Sequence, residues 1–177
     1  MHVPIEIYLN GKTYSLEVPA NLTLLELIRD YLDIKSVHRG CDEGECGACT
    51  VLLDGEPVNA CMVLAVEADG AAVVTVEGLA GAWGAGETAR ADGAEPLHPL
   101  QEAFIAAGGV QCGFCTPGML MSAYALLQRN PNPDEDAIRA AMVGNLCRCT
   151  GYTRIVRAIQ DAGSKMQDAG SGKEGAR

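Results

Sequence analysis

Eight cysteines fall in two sets of four, and no other feature of these 177 residues constrains the fold so strongly. Cys41, Cys46, Cys49 and Cys61 lie in GCDEGECGACTVLLDGEPVNAC (40–61), a stretch rich in glycine and acid, while Cys112, Cys115, Cys147 and Cys149 sit in QCGFC and LCRC. Dense thiols serve as disulfide staples in oxidising surroundings and as metal ligands in reducing ones. The opening MHVPIEIYLNGKTYSLEV alternates apolar with polar residues and has no basic region leading into an apolar stretch; no run in the sequence reaches membrane-spanning length. The chain is therefore read as cytoplasmic, with no membrane span, and its thiols are expected to bind metal. A formal net charge of -10 repels phosphate backbones and anionic headgroups, so no nucleic acid is expected as a partner.

The two cysteine sets occupy halves with different hydrophobic periods. Ile5, Ile7 and Leu9 alternate with polar neighbours, Asn10-Gly11 signals a type I′ turn, and Tyr14, Leu16 and Val18 alternate on the way back, which predicts a hairpin over 4–19. Thr23 and Glu26 have the spacing of a capping box, followed by an apolar stripe of Leu24, Leu25, Ile28 and Leu32 at helical spacing. TVLL, a turn at Asp54-Gly55, PVNA, a turn at Asp69-Gly70 and the strand AVVTVE complete a small mixed sheet crossed by a helix over 1–79.

Residues 80–95 read as a linker, with Trp83 folded back on a domain surface. Residues 96–162 read as an all-helical unit of four helices, in which Thr116 is the expected N-cap and Pro117 the first residue of the apolar helix MLMSAYALL. A helix apolar nearly all round must be enclosed, by the bundle centre or by a partner. The tail, 163–177, is read as disordered.

The first set has the spacing C-x4-C-x2-C-x11-C, which is that of plant-type ferredoxins, where four thiolates hold a [2Fe-2S] cluster. Gly44 and Gly47 allow the backbone to wrap closely and aim N–H groups at the sulfurs. A structural zinc site also uses four cysteines, but usually as two short knuckles. The second set, taken alone, fits either zinc or an iron-sulfur cluster; both of its pairs fall at helix boundaries, where free N–H groups favour an anion. All eight thiols are thereby used, leaving none for nucleophilic catalysis. His2, His38 and His98 lack ligand spacing and are read as structural. There is no Rossmann fingerprint, P-loop or serine-centred triad.

GCDEGECGACTVLLDG, VQCGFCTPGMLM and GNLCRCTGY resemble the signature segments of the small iron-sulfur subunits of molybdenum hydroxylases, the group of xanthine dehydrogenase, aldehyde oxidoreductase and aerobic carbon monoxide dehydrogenase. The likeness runs from about residue 5 to residue 162. It implies an α+β chain: an N-terminal β-grasp, plant-type ferredoxin-like domain followed by an all-α four-helix bundle that carries a second [2Fe-2S] cluster.

It also implies an electron-transfer subunit of a multi-subunit oxidoreductase, with no catalytic residues in this chain. A large subunit would carry molybdenum-pterin (molybdopterin cytosine dinucleotide or a relative) and a medium subunit FAD, in a heterotrimer or a dimer of heterotrimers. Cys112, Cys115, Cys147 and Cys149 would hold the cluster near the pterin, and Cys41, Cys46, Cys49 and Cys61 the one nearer the flavin. Gln111 and Cys149 match the positions that contact the pterin. The linker is longer than usual for the family, so contacts of 82–95 do not carry over. The alternatives are a free-standing two-cluster carrier and a zinc-stabilised interaction module.

Overall fold

The computed structural model describes residues 1–82 and 97–171. Strands β1 (His2–Leu9) and β2 (Lys12–Pro19) pair along their whole length in the expected hairpin. Asn10 and Gly11 both take positive φ, 50° and 79°, the left-handed pair that a type I′ turn requires. Strands β3 (Thr50–Leu53) and β4 (Glu56–Asn59) form a second hairpin around Asp54 and Gly55. Strand β5 (Ala72–Val74) enters between the hairpins, parallel to β1 and antiparallel to β3, giving the order β2-β1-β5-β3-β4.

β5 is shorter than AVVTVE suggested. Asn10 accepts the Thr75 N–H at 2.9 Å and donates to its hydroxyl at 2.8 Å, taking the chain out of the ladder where β1 has already turned away. A single 3-10 turn (Val76–Gly78) and the short α2 (Leu79–Ala82) follow.

The capping box forms as expected: Thr23 Oγ1 accepts from the Glu26 N–H at 3.2 Å, and the Glu26 carboxylate accepts from the Thr23 N–H at 3.0 Å. Helix α1 (Leu24–Glu26) then widens into a π-helical turn over Leu27–Tyr31, closed by the Leu32 N–H on the Leu27 carbonyl at 3.1 Å. The wider turn rotates the stripe: Leu24, Leu25, Leu27 and Ile28 are buried against Ile5, Ile7, Leu9, Val51 and Val73, and Leu32 is only half-buried.

The second half packs α3 (Pro99–Ala106), α4 (Thr116–Arg129), α5 (Glu135–Ala141) and α6 (Thr153–Ser171) around Leu100, Phe104, Met119, Met121, Ile138 and Ile159. Thr116 is not the N-cap of α4. The cap is Cys115, because the loop folds back through Gly113 (φ 85°), whose carbonyl accepts the Thr116 N–H at 3.2 Å. Helix α6 also departs from the expectation of disorder from residue 163, since the chain is helical to Ser171. Ile155, Ile159, Ala162 and Met166 continue one apolar stripe, and Gly163 lies so close to the Pro131 carbonyl that a Cβ there would sit 2.6 Å from it. Residues 172–177, the expected linker from 83 onward, and Trp83 lie outside the described residues. Among the described residues no helix is long and apolar enough to cross a membrane.

The halves are welded together. Leu52 of β3 and Leu79 are buried in the helical core, so the far face of the apolar α4 is covered by the chain's own sheet. At the seam a Cβ on Gly118 would meet the Gly47 carbonyl oxygen at 2.1 Å, and one on Gly47 would meet the Gly144 carbonyl oxygen at 2.2 Å. Backbones this close leave no room for any side chain.

His98, fully buried, caps α3 by accepting the Leu100 N–H at Nδ1 (3.1 Å) and stacks edge-on against Tyr124. Burial pushes its imidazole from the ordinary 6.5 down to about 4. The unfolded chain takes up a proton below pH 6.5 that the folded chain refuses, so stability is complete above that pH and falls toward pH 4, by up to roughly 3 kcal/mol. His98→Asn, which keeps a capping acceptor, should flatten this slope in urea titrations across the interval. An unchanged slope would assign the acid sensitivity to other groups.

Candidate iron-sulfur centres

Three of the first four cysteines lie in the loop entering β3, and the fourth, Cys61, in the 3-10 turn (Ala60–Met62) that leaves β4. Asp42, Gly44 and Gly47 take φ of 59°, 80° and 66°, curling the loop so that its N–H groups face inward. The N–H groups of Glu43 and Cys46 hold the Cys41 thiol down to about 7, the Cys46 N–H reaching Cys41 Sγ at 3.4 Å. Burial pushes Cys49 up to about 12, so that thiol ionises only against a compensating cation. Asn59 ties the loop from outside by donating to the Gly44 carbonyl at 2.7 Å. Among the surrounding acids Asp42 is paired with Arg39 at 3.2 Å, while Glu43 and Glu45 face solvent.

The second four come from the loop before α4 and the loop between α5 and α6. Burial pushes Cys115 up to about 12. At Cys147 burial is again the largest influence and opposes ionisation, yet the hydroxyl and N–H of Thr150 with the N–H of Cys149 hold the thiol below its ordinary value; Thr150 Oγ1 lies 3.1 Å from Cys147 Sγ. The Cys147 N–H donates to the Tyr152 hydroxyl at 2.8 Å. Cys112 and Cys149 are exposed, and their sulfurs are 3.6 Å apart.

The thiols therefore meet in pairs: Cys41 with Cys46, Cys49 with Cys61, Cys112 with Cys149, and Cys115 with Cys147. Two pairs per site, with inward N–H donors, suit a [2Fe-2S] rhomb in which each iron takes two thiolates. Cysteines of both sets line one cleft of 320 Å³ together with Gly40, Ala48, Phe114 and Leu146.

Gln111, the other residue singled out in the sequence, is exposed and directly precedes Cys112, which places it at the same outer end as Cys149. Of the histidines, His38 stacks on Phe114 with ring centroids 4.7 Å apart, and its Nδ1 lies 2.7 Å from the Phe114 carbonyl. Sequence reasoning treated GNLCRCTGY as a ligand signature and passed over Asn145, Thr150 and Tyr152. The available signal was an asparagine after a glycine and two residues before a cysteine, in Gly144-Asn145-Leu146-Cys147.

Residues 7–74 match the 2Fe-2S iron-sulfur cluster binding domain family, and residues 75–160 the [2Fe-2S] binding domain family. The nicotinate dehydrogenase small FeS subunit of Eubacterium barkeri is 46% identical over 160 residues, covering 90% of this chain and 94% of that one. The aldehyde oxidoreductase iron-sulfur-binding subunit PaoA of Escherichia coli K12 is 39% identical, covering 93% and 73%. Among solved structures, quinoline 2-oxidoreductase from Pseudomonas putida 86 superposes with a TM-score of 0.83 at 37% identity, covering 94% of this chain and 97% of that one. A β-grasp domain welded to a four-helix bundle, each half carrying four cysteines, defines an iron-sulfur protein with two [2Fe-2S]-binding domains. The chain belongs to the family of small iron-sulfur subunits of the molybdenum hydroxylases. It is the iron-sulfur subunit of a multi-subunit oxidoreductase.

Proposed function

We propose that this chain relays single electrons from a molybdenum-pterin centre on a large subunit to FAD on a medium subunit. In this reading Cys112, Cys115, Cys147 and Cys149 hold the cluster at the pterin end, and Cys41, Cys46, Cys49 and Cys61 the one at the flavin end. When bound, the two clusters supply one-electron centres that divide a two-electron oxidation into single transfers. The protein's own part is to hold them close, dry and fixed.

The observation that carries the reading is that the two ligand sets are in direct backbone contact: the Leu146 N–H, one residue before Cys147, donates to the Cys46 carbonyl at 2.9 Å. The inward N–H groups around Cys41 and Cys147 stabilise negative charge at each site, while Cys49 is buried and Cys115 half-buried, which limits water at the inner thiols. Gln111, with an amide that both donates and accepts, faces outward beside Cys112 and Cys149, where it is suited to hydrogen-bond the pterin. The domain limits that fit this division of labour are 1–79 for the first unit and 96–162 for the core of the second, with helix α6 extending the latter to Ser171.

Native mass spectrometry with metal and flavin analysis of the assembly purified from its own cells tests the reading. Two partner chains, molybdenum and FAD are expected alongside this subunit. Recovery of the iron-loaded chain alone would instead make it a free-standing two-cluster carrier.

A further inference from the structure

We infer that Asn145 is a positioning residue that fixes the two cluster sites to each other. The inference rests on the ligand assignment above. Asn145 is buried, and both polar atoms of its side chain are hydrogen-bonded, the nitrogen across the seam and the oxygen within the helical half. Its Nδ2 donates to the Gly47 carbonyl at 3.0 Å and to Thr50 Oγ1 at 3.2 Å; Gly47 lies in the loop between Cys46 and Cys49, and Thr50, directly after Cys49, opens β3. Its Oδ1 accepts from the Ser122 hydroxyl of α4 at 2.7 Å.

The same residue's backbone serves the second set. Its carbonyl accepts the Tyr152 hydroxyl at 3.3 Å, and that hydroxyl accepts the Cys147 N–H at 2.8 Å. Asn145 is therefore the one residue in this network whose side chain holds the first ligand loop and whose main chain holds the second. A buried, fully satisfied amide is rigid because any displacement leaves a donor or acceptor unpaired in a dry setting. Gly47 and Gly144, which pack backbone to backbone at this point, give the amide the room to reach across.

The consequence is a linked response. Loosening the amide frees the Gly47 turn, which aims the N–H groups around Cys46 and Cys49, and also slackens residue 145 beneath the Tyr152–Cys147 bond. In the purified complex, Asn145→Ala should shift the midpoint potentials of both [2Fe-2S] signals in an EPR-monitored redox titration. Tyr152→Phe, which removes only the hydroxyl that takes the Cys147 N–H, should shift one. Ser122→Ala touches no ligand loop and covers the case in which Asn145→Ala does not assemble; it should move the same two signals by less.

A shift in one signal or none with Asn145→Ala, or two unmoved signals with Ser122→Ala, overturns the inference. Absence of two [2Fe-2S] signals in the unaltered complex overturns the ligand assignment instead.

Discussion

Gly118→Ala should cost this protein more stability than any other single methyl group described here. The new Cβ would lie 2.1 Å from the Gly47 carbonyl oxygen, and the obstacle is backbone held at the turn between two proposed ligands, so no flexible side-chain end can move aside. Relief requires α4 to separate from β3, which would uncover Leu52 and slacken the buried amide of Asn145. Overpacking of this kind costs about 3 kcal/mol or more, and in a chain of this size that lowers the melting temperature by roughly 6 to 12 °C. Gly144→Ala is the matched control, since a Cβ there meets nothing within 4 Å. Equal melting temperatures for the two variants would mean that the seam is soft.

Cys115→Ser should remove one cluster and leave the other. Cys115 is half-buried at the inner side of its proposed site, and a serine hydroxyl in the same position is a much weaker ligand for iron. Half of the iron and acid-labile sulfide should disappear with one of the two EPR signals, while the signal of the Cys41, Cys46, Cys49 and Cys61 site persists. Loss of both signals would show that the sites assemble as a unit. Full retention of iron would remove Cys115 from the ligand set. Under the proposed relay, the same variant should abolish reduction of FAD by the complex's substrate, because the route through this chain would be cut at the pterin end.

Much of this architecture was legible because it is written in short-range chemistry. Asn10-Gly11 and Asp54-Gly55 specify left-handed turns wherever they occur between alternating strands, and Thr23 with Glu26 closes a capping box using atoms three residues apart. The cysteine spacing is similarly local within each of the runs 41–61, 112–115 and 147–149. What escaped depends on partners far away in sequence. Asn10 ends β5 by capturing Thr75, which no window around residue 75 reveals. The π-turn at Leu27–Tyr31 buries Leu27 because the sheet demands an apolar residue there, overriding the regular stripe. Helix α6 persists past residue 162 because Ala162 and Met166 find the bundle, although the composition of that stretch looks featureless. Asn145 reaches across 98 positions to Gly47, and nothing in the local sequence of either names the other.

Leu52 points away from its own sheet's core and into helices that are synthesised later. While a ribosome is still making α4, the finished ferredoxin-like half therefore carries a naked greasy flank, prone to stick to whatever it meets. Splitting the gene at the junction, or expressing the first half by itself as a miniature ferredoxin, would call for polar replacement of that leucine before the fragment could stay dispersed.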